Sequence, residues 1–234
     1  LKGAWKLAHS GFFSFGEKEG LSSSVDIRSI YFNRRGEIFL PVRPNEILHK
    51  AANGKFESVT PLGMRLRSWG SHFLDFESQS GEWWIPAADG LRRYPKTNSF
   101  ADLSKTPPKK IYTSADGLFT DEVFNLFEDS RGDIWITIVG EVENTLSRWD
   151  KKTDSIVSYT SELGIPKSNG AIAFAEDKEG SIWFGNYFGT LMRFRDGKFR
   201  VFDARDGIPD SQIDDLMTDR QGRLWIATTG RGIY

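Results

Sequence analysis

The side chains that could carry out acid–base chemistry are scattered along the sequence. There are three histidines, His9, His49 and His72, and they occupy different places in the sequence pattern, so they do not indicate a cluster. Neither a Gly-x-Ser-x-Gly nucleophile motif nor a phosphate-binding loop is present. The absence of cysteine excludes disulfides, thiolate nucleophiles and cysteine-based zinc sites. We therefore expect no catalytic residue, no metal and no cofactor.

One arrangement of polar residues could still act on a substrate. Asp26, His72, Glu122 and Gln212 each precede a segment that the repeat pattern assigns to the inner strand of a repeat unit. Convergent carboxylates there could serve as acid and base on a glycosidic bond, and their separation would decide retention or inversion. The simpler interpretation is a hydrated polar rim, because such openings are wet and polar by default. We therefore expect binding rather than turnover.

Composition excludes several classes of partner. The chain has 27% charged and 38% hydrophobic residues and a net charge of −1, so it has no basic surface for nucleic acid or for an anionic membrane. No apolar run approaches the ~18 residues that a membrane span needs. We expect neither nucleic acid nor direct membrane contact, and composition alone does not indicate a compartment.

An eight-residue block of the type Asp-x-x-Gly-x-Ile-Trp-Ile occurs five times, twice in degenerate form. Its glycines are 45, 51, 48 and 42 residues apart. This is the period of four-stranded propeller blades, ~40–50 residues. The blocks occupy residues 33–40, 78–85, 129–136, 177–184 and 219–226, with glycines Gly36, Gly81, Gly132, Gly180 and Gly222.

Each period contains the elements of one antiparallel blade. A short apolar segment runs into the Asp-x-x-Gly turn, the Trp segment returns from it, and two further segments with strand-like alternation follow. Asp116-Gly117-Leu118 and Asp206-Gly207-Ile208 then lead to the next unit, with glycine supplying a positive φ. The sequence predicts one all-β propeller domain with blades at approximately 25–59, 69–113, 123–160, 171–203 and 213–234 plus 1–15.

The two ends of the sequence complement each other. Residues 2–21 align without a gap with residues 189–208, so the chain opens on a third strand, and it stops where the third strand of its last unit would begin. One composite blade from both termini would close a ring of five blades and remove exposed sheet edges. The alternative is a fragment of a larger propeller.

The repeated Trp and Asp side chains have structural and functional interpretations. Trp135, Trp183 and Trp225 could stack on sugars, but a large aromatic at one position in every unit is typical of packing between neighbouring sheets. The Asp of each turn could bind calcium. A single carboxylate per turn instead favours hydrogen bonding to the turn backbone.

The repeat resembles that of the two-component regulator propeller family. Residues 206–213 and 219–234 follow its D-G-L-P and D-x-x-G-x-L-W-I patterns, residues 114–137 and 164–194 match well, 19–59 loosely and 60–113 poorly. Thr137 and Ala227 replace the glycine after the Trp-Ile pair. The second unit also carries a Pro107-Pro108 insert, which puts the regularity of that blade in doubt.

The resemblance implies a sensor module. Such propellers form the periplasmic or extracellular part of bacterial membrane receptors, ahead of a histidine kinase, diguanylate cyclase or DNA-binding output, and many are thought to recognise glycans. The implied partners are a small molecule or oligosaccharide and output domains outside this segment, and a homodimer is open. The competing classes are a glycan-active hydrolase or lyase, including one similar to streptogramin lyases, and a lectin-like scaffold.

The loops that follow the Trp strands differ from unit to unit, which favours one composite binding site over five equivalent ones. Tyr187 could stack on a planar ring, and Arg43 and Arg231 could pair with a carboxylate. An ordinary solvated surface is the alternative for any single residue. The predicted ligand contacts are Arg43, Asp89, Glu141, Asn144, Asn186, Tyr187 and Arg231 from these loops, and Asp26, His72, Glu122, Asn169 and Gln212 from the segments entering the inner strands.

Overall fold

The computed structural model describes the whole chain except residues 1–3, 9–10, 28–29, 34, 43–45, 52, 65–75, 139–144 and 167–169. The described part is all-β, with short 3-10 turns between the sheets. Among its residues, no helix has the length and apolar character needed to cross a membrane. The chain divides into two compact units, residues 1–88 with 92–111 and residues 89–91 with 112–234.

The first unit holds a two-stranded sheet, β1–β2, a four-stranded sheet, β3–β6, and most of a second four-stranded sheet, β7–β10. The strands are β1 Ala4–Ala8, β2 Gly11–Phe15, β3 Tyr31–Phe32, β4 Ile38–Val42, β5 Glu46–Lys50, β6 Phe56–Ser58, β7 Phe76–Glu77, β8 Trp83–Ala87, β9 Gly90–Tyr94 and β10 Lys110–Tyr112.

The second unit holds the sheets β11–β14 and β15–β18, with four strands each, and the three-stranded sheet β19–β21. The strands are β11 Val123–Glu128, β12 Ile134–Ile138, β13 Thr145–Asp150, β14 Ser155–Tyr159, β15 Ala171–Glu176, β16 Ile182–Asn186, β17 Leu191–Arg195, β18 Lys198–Phe202, β19 Ile213–Thr218, β20 Leu224–Thr228 and β21 Gly232–Ile233.

The order of strands within each sheet confirms the predicted fold class. In each four-stranded sheet the strands follow one another in sequence, and the pairing is antiparallel. The architecture is therefore a β-propeller built from antiparallel blades. The composite blade from both termini stays a prediction. Gly232–Ile233 already pairs with β20 as a short third strand.

The predicted Asp-Gly connections between blades are confirmed. One 3-10 turn, Ser114–Asp116, ends at Gly117, whose φ of +107° lies in the left-handed region that favours glycine. The Asp116 carboxylate accepts a hydrogen bond from the backbone N–H of Thr113 at 3.0 Å. The same geometry recurs at Glu17–Glu19 and Ala204–Asp206.

The irregularity expected around Pro107-Pro108 takes a defined form. The sheet β7–β10 keeps four strands, but a 3-10 helix at Phe100–Ser104 lies between β9 and β10. Phe100 and Leu103 are buried there, in a cluster with Trp83 and Tyr94. The helix that precedes Pro107-Pro108 therefore adds apolar core to this blade.

The Asp-x-x-Gly turns have a role that the sequence analysis gave only in part. Oδ1 of Asp177 accepts the backbone N–H groups of Glu179 at 3.1 Å and Ser181 at 2.8 Å, which confirms the expected hydrogen bonding to the turn. Oδ2 of the same carboxylate accepts Nε1–H of Trp183 at 2.8 Å. Each turn thus fixes its own tryptophan. The same bonds are made by Asp129 with Trp135 and by Asp219 with Trp225.

The first unit contains a variant of this motif in which both the aspartate and the tryptophan are replaced. Oδ1 of Asn33 accepts the backbone N–H groups of Arg35 and Glu37, both at 3.0 Å. The aromatic residue six positions on is Phe39, which has no N–H, and the Asn33 amide instead donates to Glu77 at 3.0 Å. In these four blocks aspartate occurs with tryptophan and asparagine with phenylalanine, whereas the block 78–85 has Ser78 six residues before Trp84.

Trp135 packs between neighbouring sheets, as predicted for the tryptophans, and is 0% exposed. Its ring lies 5.2 Å from that of Phe184 and 4.9 Å from that of Phe194 in the next sheet. Trp183 is half-buried against the cluster that joins β15–β18 to β19–β21. Trp225 is 39% exposed, although Asp219 still holds its indole.

His49 is a core residue of the first unit. It is buried on β5, with its ring 5.0 Å from that of Phe39 and 6.1 Å from that of Phe100. Burial lowers the pKa of His49, and the opposing effect of Glu37, 3.7 Å from Nε2, does not offset this. The imidazole is therefore neutral in the folded protein near pH 7.

A double-mutant cycle should measure a coupling free energy between Asp177 and Trp183. Asp177→Ala should destabilise the protein by about 1–3 kcal/mol, because two backbone donors and the indole lose their acceptor. Asp177→Asn should be less costly in a Trp183→Phe background than in the original chain, because that pair copies Asn33 and Phe39. Urea unfolding of the original chain, Asp177→Asn, Trp183→Phe and the double variant measures the coupling. Additive losses of stability would contradict a specific interaction between the two side chains.

The same carboxylate should add an acid-sensitive component to stability. Partial burial would raise the pKa of Asp177, but hydrogen bonds from Trp183 and Ser181 outweigh this effect and lower the pKa. The stabilisation is therefore present above the unfolded-state pKa of about 3.9 and is lost as the pH falls through the lowered value. Unfolding free energies of the original chain and Asp177→Asn should converge at low pH.

His49 should add a second loss of stability on acidification, in a higher pH range than that of Asp177. Its folded-state pKa lies below the unfolded value of about 6.5, so the unfolded chain takes up a proton first as the pH falls. The free energy of unfolding should decrease between pH 7 and pH 5. His49→Phe, which keeps an aromatic ring beside Phe39 and Phe100, should flatten this decrease, and an unchanged slope would show that another group is responsible.

Candidate functional site

Seven of the predicted ligand contacts fall within the described structure. Arg43, His72, Glu141, Asn144 and Asn169 lie outside the described residues. Asp26, Glu122, Tyr187 and Arg231 are exposed, Asp89 and Gln212 are half-buried, and Asn186 is fully buried.

Asn186 closes the loop that follows the Trp strand β16. Its backbone N–H donates to the carbonyl of Thr190 at 3.0 Å, and its Nδ2 donates to Oγ1 of Thr190 at 2.8 Å. The Asn186 side chain is 0% exposed, so in this structure it stabilises the loop and has no contact with solvent. The residues that the loop presents to solvent are its neighbours.

Those neighbours form an exposed aromatic pair. Tyr187 is 53% and Phe188 59% exposed, and their rings meet edge to face at 5.1 Å and 78°. The backbone N–H of Tyr187 donates to the carbonyl of Gly170 at 3.4 Å, which ties the loop to the start of β15. Large exposed aromatic side chains on a fixed loop provide apolar faces to a ligand.

Gly189 brings this loop against the segment that enters β19. Its φ is +80°, and a Cβ placed on it would lie 2.6 Å from the backbone nitrogen and 2.9 Å from the carbonyl oxygen of Ser211. Only glycine permits this approach. The structure thereby brings together the two groups of loops from which the sequence predicted a site: residues 186–190 from one blade and 209–212 from the next.

A polar cluster lies immediately beyond Ser211. Nε2 of Gln212 donates to Oδ1 of Asp214 at 2.7 Å, and the Thr229 hydroxyl lies 2.9 and 2.8 Å from the two Asp214 oxygens. The backbone N–H of Thr229 donates to the carbonyl of Gln212 at 3.0 Å, and Oγ of Ser211 donates to the carbonyl of Thr229. We call Tyr187, Phe188, Gln212, Asp214 and Thr229 the 187–229 face.

Asp214 and Thr229 were not among the predicted contacts. Asp214 is the extra residue of a β-bulge in β19, since Ile213 pairs with Thr228 and Asp215 with Ala227. The equivalent bulges in β11 and β15 hold Phe124 and Ile172. The available signal was a carboxylate at a position that holds an apolar residue in β11 and β15. Bulges commonly re-aim side chains next to binding sites.

Glu122, a carboxylate that could act on a glycosidic bond, makes no hydrogen bond to this cluster among the described residues. The backbone N–H of Glu122 donates to Oγ1 of Thr120 at 3.4 Å, and in the described part of the second unit no hydrogen bond joins Glu122 to Gln212 or Asp214. Across the described residues, no group of three or more histidines and carboxylates is arranged to hold a metal ion. The 187–229 face can stack on a ring and exchange hydrogen bonds with hydroxyl or amide groups.

Several solved structures share this fold. Two are extracellular domains from B. thetaiotaomicron, of proteins described as a one-component system and a hybrid two-component system. The first is 18% identical with a TM-score of 0.69 and the second 15% identical with a TM-score of 0.69; each alignment covers 95% of this chain. The chain spans only 29% and 30% of the length of those domains.

A third similar structure is virginiamycin B lyase from Staphylococcus aureus, solved as an inactive variant with quinupristin. It is 16% identical with a TM-score of 0.63, and the alignment covers 91% of this chain and 70% of the lyase. At these identities the likeness establishes the fold alone. A search of curated protein sequences gave no match to this chain.

A family model supports the resemblance independently of the fold. Residues 207–230 match the model described as two component regulator propeller. This stretch begins at the Gly207 turn, includes the bulge at Asp214 and the Asp219–Trp225 pair, and ends in the loop after β20. The chain therefore carries a two-component regulator propeller repeat.

Proposed function

We propose that this chain is the ligand-binding part of a sensor, similar to the input domain of a bacterial membrane-bound two-component or cyclic-di-GMP signalling receptor. The match of residues 207–230 to the regulator propeller model supports the proposal. So does the likeness in fold to extracellular domains of sensor systems. In this proposal the chain acts in the periplasm or outside the cell, and output domains outside this segment carry the signal.

The ligand is an oligosaccharide or another small molecule with a ring, bound at the 187–229 face. The observation that carries this assignment is the exposed Tyr187–Phe188 pair. Two solvent-exposed aromatic side chains on a short, hydrogen-bonded loop lose little conformational freedom when a ligand stacks on them. Gln212 and Asp214 supply the polar groups that would orient ring hydroxyls.

The frame around this face is built to be rigid. Asn125 in the bulge of β11 accepts the N–H of Leu126 at 2.8 Å, and its amide donates to the carbonyl of Ile172 on β15 at 3.0 Å. Thr218 donates to the carbonyl of Glu176 at 2.7 Å, which ties β19 to β15. Neighbouring inner strands are thus linked by side chains, and the loops that they carry are held in place.

The similarity to a lyase does not by itself favour an enzyme, because at 16% identity it shows only a shared fold. We expect the chain to bind a ligand without converting it. Incubation with plant and bacterial polysaccharides, followed by an assay for reducing ends, should show no release. Release that disappears in Glu122→Gln would overturn this expectation and assign the chain to the glycan-active class.

Tyr187→Ala should weaken ligand binding at least tenfold while changing stability by less than about 0.5 kcal/mol, because an exposed ring contributes to the ligand contact and little to the core. Glycan-array screening followed by calorimetry of the best oligosaccharide measures the loss. Tyr159→Phe, whose ring is buried between Trp135 and Phe194, is the control and should leave affinity unchanged. Equal affinities of Tyr187→Ala and the original chain would place the ligand elsewhere.

Gly189→Ala tests whether the loop geometry matters independently of the ring. The added methyl group would collide with the backbone of Ser211, so the loop must move and both stability and affinity should fall. Gly197→Ala is the matched control, since its φ of +77° carries similar backbone strain with no atom within 4 Å of the added carbon. A loss of affinity that is equal in the two variants would contradict the importance of the Ser211 contact.

A further inference from the structure

Strands β17 and β18 place like charges directly opposite each other. Arg193 pairs with Arg200 and Arg195 with Lys198. Because alternate side chains of a strand share a face and directly paired residues point the same way, all four cations lie on one face of this two-strand ribbon. They line most of a surface recess of about 300 Å³. We call these four residues the basic ribbon.

Aromatic rings hold two of the arginines in place. The guanidinium carbon of Arg193 lies 5.6 Å from the ring centre of Trp183, and that of Arg200 lies 4.4 Å from the ring centre of Phe202. An arginine stacked on a ring keeps the N–H groups at its edge free to bind an oxyanion. Nε of Arg193 is buried and has no hydrogen-bond partner among the described residues.

The positive charge is poorly neutralised by the protein. Nε of Arg195 lies 3.6 Å from Oδ2 of Asp196, whose side chain is 90% exposed, and such a surface pair is weak. Within the described part of the chain, no ion pair joins Arg193, Lys198 or Arg200 to a carboxylate. Like charges directly opposite each other on paired strands are destabilising.

Arg193 has a counterpart in the sheet β11–β14, where Arg148 stacks on Trp135, but the other three cations of the ribbon have none there. In the sheet β11–β14 the equivalent pairs are Arg148 with Val157 and Asp150 with Ser155. In the sheet β3–β6 the pair equivalent to Arg193 and Arg200 is His49 with Glu57. The sheet β11–β14 therefore forms without cations at the positions equivalent to Arg195, Lys198 and Arg200. Cations on the edge strand β18 can discourage edge-to-edge pairing, but Arg193 and Arg195 lie on the inner neighbour of that strand.

We propose that the basic ribbon is a binding site for a ligand that carries two or more sulfate or phosphate groups. The Arg193–Arg200 and Arg195–Lys198 pairs are two residues apart along the strands, which separates them by about 7 Å and sets the spacing of the two oxyanions. Arg195 and Lys198 lie at the end of β17 and β18 away from the loop 186–190, so the site is separate from the 187–229 face. A sulfated sugar and a free oligophosphate share this chemistry.

Calorimetry with sucrose octasulfate and with tripolyphosphate tests the proposal, and sodium sulfate supplies a single oxyanion for comparison. We expect at least one polyanion to bind, and sulfate to bind at least tenfold more weakly. Arg200→Val/Lys198→Ser, which copies Val157 and Ser155, should reduce polyanion affinity at least tenfold. Lys18→Ser/Lys152→Ser removes the same charge from exposed positions elsewhere and should change affinity less than threefold.

The outcomes separate the sources and the alternatives. Binding of only one polyanion supports the site and identifies the sulfated sugar or the oligophosphate as its ligand. The proposal is overturned if neither polyanion binds. It is also overturned if both double variants lose polyanion affinity equally, since that result indicates nonspecific attraction to positive charge. Without ligand, Arg200→Val/Lys198→Ser should melt at a higher temperature than the original chain, since like charges are relieved. Should that variant fail to fold, Arg195→Asp, which copies Asp150, must show the same tenfold loss.

Discussion

The Asp-x-x-Gly turn is the constraint on which each regular blade depends. One carboxylate oxygen closes the turn by accepting two backbone N–H groups, and the other fixes the indole of the tryptophan on the returning strand, as Asp177 does with Trp183. Turn geometry and core packing are therefore specified by a single side chain. Where the indole is absent, at Phe39, asparagine replaces aspartate and its amide finds acceptors of its own. The repeat preserves an interaction as well as a residue.

At the opposite ends of the strands, the residue types differ from blade to blade. In β11, β15 and β19 a bulge at the same place shifts the register near the start of the inner strand. Only in β19 does the inserted residue, Asp214, carry a charge. The loop 186–190, with its exposed Tyr187 and Phe188, reaches the segment before that bulge through Gly189. The 187–229 face lies at this variable end, while the turns at the other end hold each hairpin in register.

Much of the fold could be predicted from the sequence, because glycine spacing and strand alternation are local patterns that determine blades and hairpins. The contact of the Trp183 indole with Asp177 could not, since it depends on side-chain direction after the turn has formed. Asp214 was missed because a bulge interrupts the alternation from which exposure is judged. Asn186 was chosen as a polar loop residue, yet its amide is turned inward to Thr190. Arg193 and Arg200 became neighbours only once the strand register was known.

The contact between Gly189 and Ser211 joins one repeat to the next at the 187–229 face. In a linear array of repeats, stability is a sum of the intrinsic stabilities of the units and the coupling between nearest neighbours. A molecule that touches Tyr187 on one side of this contact and Gln212 on the other adds its free energy to the coupling and leaves the intrinsic terms unchanged. In the proposed sensor, an occupied site would therefore make the unfolding of these two adjacent repeats more cooperative.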